Sequence, residues 1–208
     1  DSKSWPGFLM FDESFLSQLK RWNEKTPLKN LKFNRGIERE TLRVSKDGSI
    51  SNRPHPEALG SPLTNPYITT DFAEALIELV TPKFDNVDDL YSCLQDLHVF
   101  TAQNIDEDEY LWAHSMPCRI EKESDINIAN YGTNNSGMLK HIYRKGLRAR
   151  YGSIMQCVSG IHYNFSIDAA CYKNLLGDEY TQDMVDDLYL SLIRNFKRNF
   201  WFILAQLS

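Results

Sequence analysis

The sequence lacks most of the features that give a function away on sight. It has no basic excess: 23 lysines and arginines against 28 aspartates and glutamates leave a net charge of −5. That excludes the positive footprint of a nucleic-acid binder. Its longest apolar run, Phe200 to Ala205 ("FWFILA"), falls far short of the ~20 residues that span a bilayer, so no membrane association is expected. The opening "DSKSWPGFLMF" has neither the basic start nor the apolar core of a signal peptide. Cys93, Cys118, Cys157 and Cys171 are widely spaced and form no CxxC pair, which argues for reduced cytoplasmic thiols instead of a disulfide framework or a thiolate zinc site. Phosphate-loop, GxGxxG, HExxH and GxSxG strings are all missing. Chemistry based on a covalent serine or cysteine therefore has no local support.

What is present is a soluble composition, 42% hydrophobic and 25% charged over 208 residues, enough for one large domain or two small ones. An acidic balance suits a protein that gathers metal ions. The stretch "RGIERETLRV" (35–44) is strand-like, and a strand sends residues i, i+2 and i+4 to one face. Glu38 and Glu40 thus share a face with Gly36 and Leu42. Two like charges side by side need either water or a cation to offset them. "SKDGSIS" (45–51) follows as a hairpin-type turn, and "NRPHPEALGSPLTNP" (52–66) as an irregular loop.

Helices are expected at 12–23, where Phe15, Leu16, Leu19 and Trp22 make a 3.6-period stripe, at 86–104, on Val87, Leu90, Leu94, Leu97 and Phe100, at 138–151, and at 180–206. "SGIHYNFSI" (159–167) alternates as a strand, with His162, Asn164 and Ser166 on one face. "YITTDFAEALIELVTP" (67–82) is open: Ala73 to Leu79 suit a helix, while Thr69, Thr70, Val80 and Thr81 favour strand. Phe200, Trp201, Phe202, Ile203, Leu204 and Leu207 are apolar around most of a helix, which implies burial on all sides. With Asp at position 1, the chain is expected to be a piece of something longer.

The remaining chemistry is a scatter of oxygen and nitrogen donors on apparent strands: Glu38, Glu40, Asp71, Glu74, Glu78, His162 and Asn164. Oxygen-rich clusters suit Mg²⁺, a hard cation. Each member also has an ordinary alternative. Glu38 and Glu40 suit a solvated strand face, Glu74 and Glu78 an exposed i,i+4 helix pair, Asp71 a cap or turn, and His162 a hydrogen-bonded core histidine.

The strings "GIERETLRV", "HPEALGSPLTNPYITTDFAEALIELVTP", "SMPC", "YGTNNSGMLKHIYRKGLRARYG" and "SGIHYNFS" together resemble the bacterial glutamate–cysteine ligase family from about residue 12 onward. The resemblance implies an α+β, glutamine synthetase-like fold, an antiparallel sheet lined with carboxylates and helices packed outside. Residues 1–208 would be the N-terminal part of its single catalytic domain, because family members are more than twice this long. It implies that Glu38, Glu40, Asp71, Glu78 and His162 hold Mg²⁺ (or Mn²⁺), which favours strand for 74–81. It also implies that Phe72 and Tyr143 line the cysteine side-chain pocket, with Arg144 and Gln156 near the substrates. The reaction implied is ATP-dependent joining of glutamate's γ-carboxylate to cysteine through an acyl phosphate, the first step of glutathione synthesis. No protein nucleophile is expected. A related ligase using another amine, such as 2-aminobutyrate, and a non-catalytic metal-binding or interaction fragment are the alternatives.

Overall fold

Strand β1 (Phe33–Ser45) is the element to which the others attach. In this computed structural model, which describes residues 31–207 together with Ser17, Lys20 and Glu24, β1 pairs antiparallel with β3 (Leu76–Val80), and β3 in turn with β2 (Ile68–Thr70). The C-terminal end of β1 pairs antiparallel with β4 (Glu109–Leu111). Strand β5 (Ile161–Ile167) also pairs with β1. Glu40 N–H donates to the Gly160 carbonyl, while His162 and Asn164 both reach Glu38, so the partner positions run in opposite directions. The order is β2-β3-β1-β4 with β5 beside β1.

The pleat sorts the sheet's residues by face. The register aligns Glu40 with Glu78 and Thr41 with Ile77. One face therefore carries Ile68, Ile77 and Leu79, which pack with Leu59 and with Leu94, Leu97 and Ile105. Leu94 and Leu97 belong to α1 (Val87–Asn104), which Ile105 caps at its C-terminal end and whose N-terminus is capped by the Asn86 side chain accepting from Asp88 N–H. The opposite face carries Glu38, Glu40 and Glu78 at one end and Leu42 and Leu76 at the other. The latter join Phe72, Ile126 and Cys157 in a second cluster. Of the expected α1 stripe, Leu90 is buried, but Val87 and Phe100 are exposed and Thr101 is buried in their place. Contacts at 90, 94, 97 and 101 follow the helix period more closely than the apolar pattern did.

The ambiguous stretch resolves as a hairpin. Asp71 N–H donates to the Leu76 carbonyl and Leu76 N–H to the Ala73 carbonyl, so residues 71–75 turn the chain between β2 and β3. Helix α2 (Asn135–Tyr151) begins three residues before the expected start, because the Asn134 side chain accepts from Gly137 N–H. Gly137 is obligatory: a Cβ there would lie 2.4 Å from the Tyr131 carbonyl oxygen.

The chain divides into two compact units, residues 34–166 and residues 1–33 with 167–208. In the second, Lys32 N–H donates to Cys171 Sγ and Ile167 N–H to the Tyr189 hydroxyl. It also holds short helix α3 (Tyr172–Leu176) and long helix α4 (Gln182–Leu207). The expected burial of α4 on all sides is not met among the described residues: Phe200, Trp201, Phe202 and Leu204 are exposed. A five-residue helix and a 3-10 turn are too short to wrap one of 26 residues. The helix expected at 12–23 lies outside the described residues except for Ser17 and Lys20, which are helical and exposed. No described helix is long and apolar enough to cross a membrane.

One polar constraint was not foreseen. Arg43, wholly buried on β1, donates to both carboxylate oxygens of Glu109 on β4 at 3.0 and 3.1 Å, and its Nη2 donates to the carbonyls of Arg53 and Glu74. The Ser51 hydroxyl donates to the same carboxylate. Removing one partner strands a buried charge, which costs about 3–5 kcal/mol. Glu109→Ala is therefore expected to lower the free energy of urea unfolding by about that much. A loss below about 1 kcal/mol, the range of an exposed pair, would show that water reaches the pair.

Candidate metal centre

Three elements bring the carboxylates together. Strand β1 supplies Glu38 and Glu40 two residues apart, and β3 supplies Glu78 directly across from Glu40. Strand β5 supplies His162, whose Nδ1 lies 3.1 Å from Glu38 Oε2, and Asn164, whose Nδ2 donates to Glu38 Oε1 at 2.9 Å. One donor atom from each of Glu38, Glu78 and His162 lies within 4.8 Å of the others. Glu40 stands beside this trio with its Oε2 accepting the Gly160 N–H at 2.7 Å. Gly160 packs tightly there, since a Cβ would lie 3.3 Å from His162 Nε2 and 3.4 Å from Glu40 Oε2.

Asp71, in the turn before β3, completes the acidic field. Its carbonyl accepts from the Tyr131 hydroxyl and from Arg144 Nε, and the Arg144 guanidinium lies 4.7 Å from the Tyr131 ring centroid. Glu74, in contrast, is turned away. Its carboxylate accepts from His55 N–H at 2.9 Å and Asn130 N–H at 2.7 Å, which ties two loops together. Glu74 precedes β3 and so does not join Glu78 on that strand, as a strand over 74–81 would have had it.

The centre is electrostatically crowded. Burial, then the Asp71, Glu40 and Glu38 carboxylates, push the Glu78 carboxyl up to about 7. Burial raises Glu40 as well, opposed by the Gly160 N–H and increased by Asp71. The hydrogen bond to Glu38, aided by the acids around it, lifts His162 above the ordinary histidine value. The donor set and its surplus of negative charge fit a divalent cation with oxygen and imidazole preference, Mg²⁺ or Mn²⁺. A bound ion would offset the repulsion that the fold holds in place.

The other expected site residues lie elsewhere. Phe72 is fully buried in the core cluster. Tyr143 is exposed on α2 and lines a shallow hollow with Ile142, Gly146, Leu147 and Arg150. Gln156 is half-buried in a 3-10 turn (Ile154–Cys157). Two contributors escaped sequence reasoning: Gly160, which acts through its backbone N–H, and Tyr131, which holds the Asp71 carbonyl. The glycine beside an alternating polar strand was the available signal for the first, and nothing in the pattern marked the second.

Residues 16–206 match the glutamate–cysteine ligase family. The chain belongs to that family. Over 83% of its length it superposes on a glutamate–cysteine ligase from Francisella tularensis, solved at 2.0 Å in complex with AMP, with a TM-score of 0.78 and 42% identity. Over 92% it superposes on a bifunctional glutathione synthetase from Pasteurella multocida, with a TM-score of 0.75 and 34% identity. It spans 34% and 24% of those two chains. The α+β, antiparallel-sheet architecture of this ligase family member is thus shared with solved relatives.

The Glu78 shift has a definite sign. A folded value near 7 against an ordinary 4.5 means that the group's contribution to stability is full below 4.5 and lost as pH rises through 7. Glu78→Gln is accordingly expected to raise the melting temperature of the metal-free protein at pH 8 and to change it little at pH 5. Mg²⁺ should raise the wild-type melting temperature more at pH 8 than at pH 6, because below 7 it must displace a proton. A Glu78→Gln protein that melts lower at pH 8 would refute the crowding account.

Proposed function

We propose that this family member serves an ATP-dependent ligase that joins the γ-carboxylate of glutamate to the amine of cysteine, and that residues 1–208 are the N-terminal part of its single catalytic domain. The observation that carries the reading is the converging Glu38, Glu78 and His162 on a rigid sheet face in a chain of this family. Nucleotide use is supported by the AMP bound to the Francisella relative. The reading places the protein in the cytoplasm, where ATP and both amino acids are available.

Glu38, Glu78 and His162, with Glu40 and Asp71 beside them, would hold the divalent ion. Bound Mg²⁺ supplies positive charge against phosphate oxygens, which is most of what phosphoryl transfer asks of a site. The chain's own part is placement. Paired strands fix the carboxylates before substrate arrives, so little reorganisation is left for the reaction. Tyr131 and Arg144 hold the Asp71 backbone in the same way. In the reaction a γ-carboxylate oxygen of glutamate takes the terminal phosphoryl group of ATP and ADP departs. The cysteine amine then attacks the acyl carbon, loses a proton and expels phosphate. No protein nucleophile takes part, in keeping with Cys118 and Cys157, whose thiols burial pushes up to about 11 and about 12.

Phe72 and Tyr143 are assigned to the pocket for the small thiol side chain, Tyr143 by direct contact and Phe72 from within the core. Arg144 and Gln156 are placed near the substrates. In the full-length protein, Mg²⁺-dependent ADP release should require both glutamate and cysteine, and residues 1–208 alone should not turn over. ADP release without amino-acid dependence would remove the proposal, whereas turnover with another amine but not cysteine would favour a related ligase. Tyr143→Ala should weaken discrimination for cysteine by about 1–3 kcal/mol while leaving the KM for ATP near its wild-type value. A change in ATP KM alone would put Tyr143 in the wrong pocket.

A further inference from the structure

A cavity of about 560 Å³ lies along α2, lined by Met138, His141 and Lys145 of that helix, by Ile128 and Asn130 before it, and by Glu74. Positions 138, 141 and 145 follow the helix period, while Tyr143 and Leu147 fall on the opposite side of the same helix. The cavity is thus distinct from the hollow at Tyr143, and none of the metal-centre residues lines it.

Glu74 is the anion of this cavity. It is only 9% exposed, and its two oxygens each accept one backbone N–H, from His55 and from Asn130. A carboxylate accepts about four hydrogen bonds, so part of its capacity stays open. Lys145 is the cation. It is exposed, and among the described residues it has no ion-pair partner. His141 Nδ1 lies 3.0 Å from the Ala129 carbonyl oxygen, which keeps the proton on Nδ1 and leaves Nε2 as an acceptor.

The walls are tied to one another before a ligand arrives. Glu74 joins the segments at His55 and Asn130, and Asn127 Nδ2 donates to the Asn52 carbonyl at 3.3 Å. A cavity held open in this way has little ordering left to do on binding. A lone anion drawn to Lys145 would meet the Glu74 carboxylate, and a lone cation drawn to Glu74 would meet the ammonium. A molecule that carries both charges satisfies both. Ile128, Met138 and Pro54 add apolar surface to the lining, which suits an apolar side chain beside the charges.

We propose that this cavity binds a free α-amino acid with an apolar side chain, its ammonium on Glu74 and His141 Nε2 and its carboxylate on Lys145. The site is separate from the acidic centre and does not depend on the ligase reading. The test is calorimetry on the full-length protein with L-leucine as the probe. Wild type is expected to bind it with a Kd of about 1 mM or tighter. Leucinamide, which lacks the carboxylate, and N-acetyl-leucine, which lacks the ammonium, should each bind about tenfold more weakly. Lys145→Gln should weaken leucine binding by a similar factor, and Lys145→Arg should restore most of it. Glu74→Gln should weaken it too. Because Glu74 also ties two loops, melting temperatures are compared, and Lys145→Gln carries the test if Glu74→Gln does not fold. Tyr143→Ala, across the helix, should leave leucine affinity within about twofold of wild type. Absence of leucine binding in wild type, or unchanged affinity in folded Lys145→Gln, would overturn the proposal. So would N-acetyl-leucine binding as tightly as leucine, which would leave only an anion site. Loss of binding in Tyr143→Ala with Lys145→Gln unaffected would also overturn it, by moving the leucine to the other side of α2.

Discussion

Repulsion among carboxylates on one sheet face is the constraint around which this protein is arranged. Glu38, Glu40 and Glu78 would separate if the backbone allowed it, and the pairing of β1 with β3 does not allow it. The cost is visible in the raised carboxyls of Glu78 and Glu40. What limits that cost is also visible: the Gly160 N–H on Glu40, and the Asn164 amide and His162 ring on Glu38. These donors are neutral or only partly charged, so they reduce the surplus without cancelling it. The result is a crowded acidic centre whose geometry is fixed by strand pairing.

The rest of the fold serves this arrangement by dividing the sheet. One face is sealed by α1 over Ile68, Ile77 and Leu79. The opposite face is polar at one end and apolar at the other, where Leu42 and Leu76 enter the core with Phe72. The change from acid to core occurs within two residues on each strand, Glu40 to Leu42 and Glu78 to Leu76. The cluster is therefore backed by close-packed side chains that cannot yield. The buried Arg43–Glu109 pair ties β1 to β4 just beyond that point.

Legibility in the sequence followed the range of the interactions. The strand at 36–44, the hairpin turn after it, the loop at 52–66 and the helix at 86–104 were readable because turn residues and periodicity act over a few positions. His162 and Asn164 were correctly placed on one face by alternation alone. At 67–82 the local signals conflicted, and the hydrogen bonds that make the turn at Asp71–Ala75, together with pairing to β1, settled it. Glu74 was misplaced for the same reason: nothing local shows that its carboxylate ties His55 to Asn130.

By itself the sequence determined which residues share a face, because the pleat has period two and needs no partner to impose it. It also determined the chemical class of the donors, and through its long distinctive strings the family to which the chain is similar. Only the tertiary structure decided that Glu78 stands across from Glu40, that His162 meets Glu38, and that Gly160 supplies the missing hydrogen bond. These pairs are separated by tens to more than a hundred positions along the chain. Their meeting depends on strand register, which is set by the packing of the whole sheet and by no residue alone.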